Sequence, residues 1–381
     1  MNMKLVLNEE LQFLKDTASN FAKDKAPVSH LRKLRDEDHP NSWDEGLWHE
    51  MVELGWTSIL IPEKYGGSEF GLAGISVVLQ ELGKTLVPSP LFATGVLGVT
   101  SINQMGSEAQ KEELLGKILE GKLTTALAID EGSHHEPSNT ELTAEKNNDG
   151  WVLNGEKVFV IDGSSADLLI VIARTSGNKG DAQGLSAFIV DPNSKGINRR
   201  KVPTADSRNY ANISFEDVTI SAEEILGEVD GASDQIQKVL DFGRIAISAE
   251  MLGNTEEAFS ITLNYLKERK QFGVLIGSFQ ALQHRAAKMF CEIELTKSAV
   301  IAAMHAADEN SNELERLSSL AKFQAGTTLH TVSNESIQMH GGIGVTDEYD
   351  IGFYLKRARV AEQIFGSSTY HKSRYADISG Y

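Results

Sequence analysis

The densest set of side chains able to do chemistry runs from Arg269 to His284, R-K-Q-F-G-V-L-I-G-S-F-Q-A-L-Q-H. An arginine, an aromatic ring and several amides surround a short glycine-containing turn. Amphipathic helix is expected on both sides. Leu252, Ala258, Phe259, Leu263 and Leu266 recur at roughly helical spacing upstream, and Ala281, Ala287, Phe290 and Leu295 do so downstream. A helix-to-helix connection of this kind turns a guanidinium and amide donors outward, a set suited to an anion such as a pyrophosphate. An ordinary helical hairpin with a surface arginine would carry the same residues, and their chemistry alone leaves both readings open.

Charge sharpens the question. The chain of 381 residues has a formal net charge of −18, so its field repels phosphates, and nonspecific binding to nucleic acid or an anionic membrane is not expected. A phosphate-rich ligand would need a local basic pocket. Arg199-Arg200-Lys201 is one basic run that could meet phosphates or lie on a solvated loop. The pair His134-His135 beside Glu136 does not suggest a metal site, because adjacent histidines in an extended loop point apart and no Cys or Asp completes a ligand set. The one cysteine, Cys291, rules out an intramolecular disulfide and is expected to be a buried, inert thiol. It implies a reducing compartment. The opening M-N-M-K-L-V-L-N-E-E lacks a long apolar run, so neither signal peptide nor membrane span is expected, and the cytoplasm follows.

Three regions must position these residues. Residues 1–122 read mostly as helix, with Asn8 as a cap before Glu9 and Glu10, an apolar face at Leu11, Leu14, Ala18 and Phe21, and further helices over 44–54, 72–82 and 107–119. Residues 123–231 change to short strands: 123–129, 166–173, 185–190 and 211–215, with Asn154-Gly155 predicting a hairpin turn between 151–153 and 156–161. Residues 232–381 return to long helices, 236–265, 279–308, 313–339 and 349–363. The expected fold is α+β and multidomain: an N-terminal helical domain, a middle β-barrel-like domain and a C-terminal four-helix bundle.

That order, together with five motifs, resembles the acyl-CoA dehydrogenase family over essentially the whole chain. The motifs are Ile61-Pro62-Glu63-Lys64-Tyr65-Gly66-Gly67, N-G-E-K at 154–157, R-K-Q-F-G at 269–273, F-Q-A-L-Q-H at 279–284 and Q-M-H-G-G-I-G at 338–344. Asp347-Glu348-Tyr349 and the tail F-G-S-S-T-Y-H are similar to the short bacterial type, which includes small subunits such as that of pimeloyl-CoA dehydrogenase. The resemblance implies FAD held at a subunit interface of a homo- or hetero-oligomer, a dimer or tetramer with a related dehydrogenase subunit. It implies an acyl-CoA substrate and electron-transfer flavoprotein or a similar acceptor. Arg269, Gln271, Phe272 and Gln280 fall where the family contacts the FAD pyrophosphate and adenine, and Gln338, Gly341 and Gly342 where a glycine-rich turn approaches the cofactor. A helix C-cap would also account for the two glycines. Ser367 falls where a Thr or Ser touches FAD, and Phe159 where an aromatic stacks on the flavin.

The implied reaction is α,β-dehydrogenation of an acyl-CoA thioester, with a carboxylate base raised in pKa by burial. Here the chain departs from the family. The position before the glycine of the C-terminal E-G-T motif is Phe365, and the alternative position before Arg244 on the first bundle helix is Gly243. Neither can accept a proton. Glu250 is the remaining candidate base: it lies seven residues beyond Gly243, nearly two helical turns and so on the same face, among Ile247, Ala249, Met251 and Leu252. The alternative is a buried glutamate paired with Arg244 or another cation. Arg244 is expected to meet substrate. The flavin-facing loop of the family reads Asp130-Glu131-Gly132-Ser133-His134-His135-Glu136-Pro137, without its hydroxyl donors, and Ile161 replaces a hydrogen-bonding threonine. The half-site offered to a neighbour is therefore better kept than the one facing this chain's own flavin. That asymmetry also fits a non-catalytic subunit that completes FAD sites in a heteromeric enzyme.

Overall fold

A computed structural model describes residues 7–381; the opening hexapeptide of the N-terminal reading lies outside them. The helices in chain order are α1 (Glu9–Lys25), α2 (Val28–Asp36), α3 (Glu45–Glu53), α4 (Gly71–Lys84), α5 (Val99–Met105), α6 (Glu108–Leu119), α7 (Ser233–Glu268), α8 (Gln280–Asp308), α9 (Leu314–His340), α10 (Ile351–Ala361) and α11 (Ser368–Ile378). The strands are β1 (Thr125–Ala128), β2 (Thr143–Lys146), β3 (Gly150–Ile161), β4 (Leu168–Arg174), β5 (Leu185–Val190), β6 (Ile197–Lys201), β7 (Tyr210–Ser221), β8 (Ile225–Leu226), β9 (Lys270–Gln271) and β10 (Val274–Leu275). An N-terminal helical region, a middle sheet and a C-terminal helical region follow one another. No helix among the described residues is long and apolar enough to cross a membrane.

Two compact units cut across that order. One comprises the chain through Lys33, Leu72–Val87 and Arg244–Tyr381. Its hub is α9, which touches α8, α10 and α11. Asn8 caps α1 as its position suggests, accepting the Leu11 amide at 2.7 Å. The carboxylate of Asp308, at the end of α8, accepts the Leu72 and Ala73 amides at the start of α4. The α4–α7 contact is set by two glycines: an added Cβ at Gly253 would lie 1.8 Å from the Gln80 carbonyl oxygen, and one at Gly83 would lie 2.5 Å from that of Glu250. Backbones meet there with no room for a side chain. The C-terminal region holds five helices where four were expected. The fifth, α11, buries only His371, so it carries no apolar stripe for a periodicity reading to find.

The other unit comprises Leu34–Gly71 and Pro88–Gly243. Its sheet runs β6-β7-β3-β2-β4-β5-β8, with β1 parallel to β4. The path ends at β6 and β8, and among the described residues no pairing joins these two strands into a closed barrel. Trp151, Leu153, Phe188, Ile213 and Phe215 are in its core. The Asn154-Gly155 hairpin does not occur. β3 runs through both residues and pairs with β7, with a register shift between Leu153 and Gly155. Gly155 takes φ 143°, and an added Cβ would lie 2.8 Å from Leu142 Cα. The glycine therefore serves a bulge under a crossing segment, a use that shares its composition with a turn. The real β2–β3 turn is at 147–149, where Asn147 Oδ1 accepts the Asp149 amide. The basic run 199–201 is strand β6, not loop: Arg199 donates to the Gly163 and Ala166 carbonyls and Lys201 to those of His39 and Pro40, leaving Arg200 outward.

The close helix approach gives a direct test. Gly253→Ala is expected to lower stability by about 1–3 kcal/mol, because an overpacked helix contact must open, whereas Gly116→Ala on α6, with open space around it, should not destabilise. Urea midpoints of the two variants decide.

Candidate cofactor cradle and active-site turn

The Arg269–His284 stretch is a tight hairpin between α7 and α8. β9 and β10 pair antiparallel, and the two residues between them, Phe272 and Gly273, have φ 53° and 81°. Both are left-handed, the geometry of a two-residue hairpin turn. A phenylalanine held there is strained. Its ring is 92% exposed and meets Phe279 edge-on at 6.2 Å. Arg269, Gln271 and Gln280 are exposed, as is Gln338 at the end of α9. Their side chains make no hydrogen bond or ion pair with any described residue.

The two sequence-distant pieces leave neighbouring helix ends. Tyr265, four residues before Arg269, stacks on His340 at 4.3 Å and donates from its hydroxyl to the His340 carbonyl. Tyr349 closes on the same imidazole at 4.9 Å. Burial holds His340 below its usual pKa, opposed by the bond of Nδ1 to the Ser336 carbonyl. Gly341 and Gly342 follow at once, both exposed. Gly341 caps α9 at φ 63°, so backbone conformation explains it. Gly342 has no left-handed φ and no atom within 4 Å of where its Cβ would be. Nothing in the chain requires a glycine there, as expected where an outside group approaches the backbone. Exposed donors beside such a glycine fit a dinucleotide.

The interior differs. Glu250 is 3% exposed, and its carboxylate is gripped by the Arg357 fork, Nε to Oε1 at 2.9 Å and Nη2 to Oε2 at 3.1 Å. The cation that grips it is a residue of α10. Arg244 is wholly buried and donates to the Phe365 carbonyl and the Tyr370 hydroxyl. Its guanidinium faces this chain's own turn. Phe365 (φ 53°) and Gly366 (φ 110°) form that turn, and a Cβ on Gly366 would lie 2.3 Å from Tyr370 Cδ1. Ser367 caps α11 by accepting the Tyr370 amide at 3.3 Å, which leaves its hydroxyl hydrogen able to donate.

Periodicity also missed Lys322 and His371, both without exposed surface. Lys322 donates to the Glu362 carbonyl at 2.9 Å and the Gly366 carbonyl at 3.1 Å, and His371 Nε2 lies 3.0 Å from the Phe365 carbonyl oxygen. Burial brings Lys322 down to about 7; Glu362 opposes this, and Arg244 and Arg357 add to it. A buried lysine inside an otherwise apolar helix face has no sequence signal of its own.

In the sheet unit, Phe159 sits at φ 54° in a second bulge of β3, its amide held by Asn212 Oδ1. Its ring stacks on Tyr210 at 4.4 Å, so one face is already covered. Lys157, wholly buried, ties the Ile129 carbonyl to the Glu131 carboxylate, which also accepts the Glu141 and Leu142 amides. Burial lowers the Lys157 pKa, with Glu131 opposing. His135 Nδ1 bonds Asp130 at 2.8 Å, so this histidine turns inward. Cys291 is exposed on α8, contrary to the buried thiol expected, because that stretch of α8, with Phe290 and Leu295, faces outward.

Three family models match in succession: the acyl-CoA dehydrogenase N-terminal domain over residues 8–122, the middle domain over 128–218 and the C-terminal domain over 231–379. The chain belongs to the acyl-CoA dehydrogenase family. It is an oxidoreductase of a flavoprotein family that uses FAD. A probable acyl-CoA dehydrogenase of Bacillus subtilis, YngJ, is 32% identical, covering 96% of this chain and 97% of its own. The solved butyryl-CoA dehydrogenase of Megasphaera elsdenii superposes with a TM-score of 0.90 at 29% identity, covering 99% of this chain and all of that one. The subunit CarC of a caffeyl-CoA reductase–Etf complex from Acetobacterium woodii is 28% identical over 96% of each chain.

Two outcomes follow. Arg357→Met removes the guanidinium fork from the buried Glu250 carboxylate, and the expected loss is about 3–5 kcal/mol; Glu250→Gln combined with Arg357→Met should recover much of it, both read by urea unfolding. Lys322 gives a pH dependence. Its folded pKa is about 7 against 10.5 unperturbed, so between those values the unfolded chain holds the proton that the folded one has lost. Its contribution is full above pH 10.5 and is lost as pH falls to 7. Thermal midpoints should show this part of the rise from pH 7 to 10 flattened in Lys322→Met.

Proposed function

We propose that this chain takes part in the FAD-dependent α,β-dehydrogenation of an acyl-CoA thioester to the 2-enoyl-CoA. The observation that carries the reading is the outward cradle: Arg269, Gln271 and Gln280 on one turn, and Gln338 with Gly342 on the adjacent helix end beside the cap Gly341, donors or open backbone with no use inside the chain. Arg269 would hold the pyrophosphate, Phe272 would cover the adenine, and Ser367 and Phe159 would contact the flavin. Bound there, FAD supplies the hydride acceptor for the β-carbon. The protein's own tasks are to orient the thioester and to remove the α-proton. The family division 1–122, 123–231 and 232–381 frames these tasks, within a homo- or hetero-oligomer that passes electrons to an electron-transfer flavoprotein or similar acceptor. The relative that is a subunit of a reductase–Etf complex supports that acceptor class.

Glu250 is the proposed base, and in that role it must leave Arg357. The bidentate pair favours a second reading, in which this chain completes FAD sites on a related subunit and supplies no base of its own. Phe365 is apolar, Gly366 has no room for a side chain and Glu250 is held, so none of these three positions offers a free carboxylate.

Purification of the chain alone, then with a co-expressed related subunit, separates the readings. A yellow protein with about one FAD per chain, bleached without oxygen by an acyl-CoA from a panel of chain lengths, supports the first; Glu250→Gln should then lower the bleaching rate by roughly 100-fold or more. A colourless chain that acquires flavin only with its partner, and a rate unmoved by Glu250→Gln, supports the second. A chain that binds no FAD in either preparation overturns both.

A further inference from the structure

The turn from Gln363 to Ser367 is held from beneath by buried cations. It needs holding, because Phe365 and Gly366 are both left-handed and Phe365 has a side chain that disfavours that region. Its carbonyls point inward, away from water, so each must find a donor in the protein. Arg244 on α7 and His371 on α11 serve Phe365, and Lys322 on α9 serves Glu362 and Gly366. Lys322 therefore brackets the turn, with one bond at its entry and one just before Ser367. Arg244 and Tyr370 are themselves bonded to each other, and a cation–π contact of 5.7 Å adds to that link.

We infer that Lys322 is a positioning residue for the flavin-facing turn, holding the conformation in which Ser367 presents its hydroxyl to the cofactor. The inference rests on the FAD reading above. Lys322 touches neither cofactor nor substrate. It acts through two carbonyls, and a one-residue slip of the turn would take Ser367 off the cap of α11. Bonds from an ammonium are about twice as strong as those from a neutral amine. The grip is therefore strongest while Lys322 is charged, and that charge is lost as pH rises through about 7. The charged groups acting on it are Glu362 on the turn, Arg244 on α7 and Arg357 on α10. Glu362 carries its own contacts to Ser368 and His330. The Glu250–Arg357 pair is mutually neutralised, and Arg244 adds a fixed positive charge, so Lys322 is the lysine of this cluster whose charge changes above neutrality.

The test uses the full chain, with its partner if one is needed for flavin, in wild-type, Lys322→Met and Lys322→Arg forms. FAD affinity is measured by flavin fluorescence from pH 6 to 9, and amide exchange protection over residues 362–368 is measured without flavin. The expected result is a roughly tenfold weaker FAD affinity in the Met variant, lower protection over 362–368, partial rescue by Arg, and a wild-type affinity that falls above pH 7 while that of the Arg variant does not. A Met variant with wild-type affinity, protection and pH profile overturns the inference. If the wild-type chain binds no FAD, the cofactor reading fails; the exchange data then decide alone, and unchanged protection in the Met variant overturns the role of Lys322 as well. If the Met variant does not fold, Lys322→Gln takes its place, and wild-type affinity and protection in that variant would sink it.

Discussion

A charge removed from water must be matched by something fixed. Arg244, Glu250, Lys322 and Arg357 have between 0 and 3% exposure in one helical unit. Each meets the demand differently. Glu250 and Arg357 neutralise one another across α7 and α10. Arg244 and Lys322 direct their hydrogens at main-chain carbonyls of a strained turn. A hydrophobic helix contact tolerates sliding by a fraction of a turn, but a bidentate ion pair or a lysine bridging two carbonyls does not. The register of α7, α9, α10 and α11 is therefore fixed by polar contacts, while apolar burial supplies most of the gross stabilisation.

The same constraint separates the chain's inside from its outside. Interior cations are committed to the chain itself. The exterior donors at Arg269, Gln271, Gln280 and Gln338 are committed to nothing in it. Phe272, a large ring on strained backbone, is left in solvent, and Gly342 leaves open a space that no neighbour claims. Exposed strain and unneeded glycine both cost stability or entropy without return inside the fold. Their joint presence at two adjacent helix ends is the physical content of the cradle, independent of any family motif.

Much of this was legible in the sequence. The Asn8 cap, the long helices, strand β5 and the outward set at 269–280 follow from periodicity, capping and residue type. Other elements were not. Asn154-Gly155 predicts a hairpin because turns and bulges both need φ > 0, and only the crossing of Leu142 over Gly155 tells them apart. α11 has little apolar stripe. β6 is a strand whose basic residues alternate inward and outward, which a reading of charge alone takes for loop. For Glu250 the sequence offered a base or an ion pair and could not name Arg357, since the pair joins residues 107 apart in the chain. Lys322 gave no signal, because its partners are carbonyls and every residue has one.

The closed positions in the interior also say how far this chain stands from the commonest form of its family. Gly366 has no room for a base. A side chain at Gly366 would strike Tyr370, whose ring in turn meets His371 edge-on at 5.1 Å and whose hydroxyl accepts from Arg244. Phe365 is buried, and its backbone carbonyl is a junction for two donors. Putting a side chain at Gly366 would mean moving Tyr370, and with it one anchor of Arg244. The apolar turn is therefore built in by its neighbours. Any proton transfer this chain performs must come from elsewhere on the helices, and Glu250 can perform it only in a state where Arg357 has another partner.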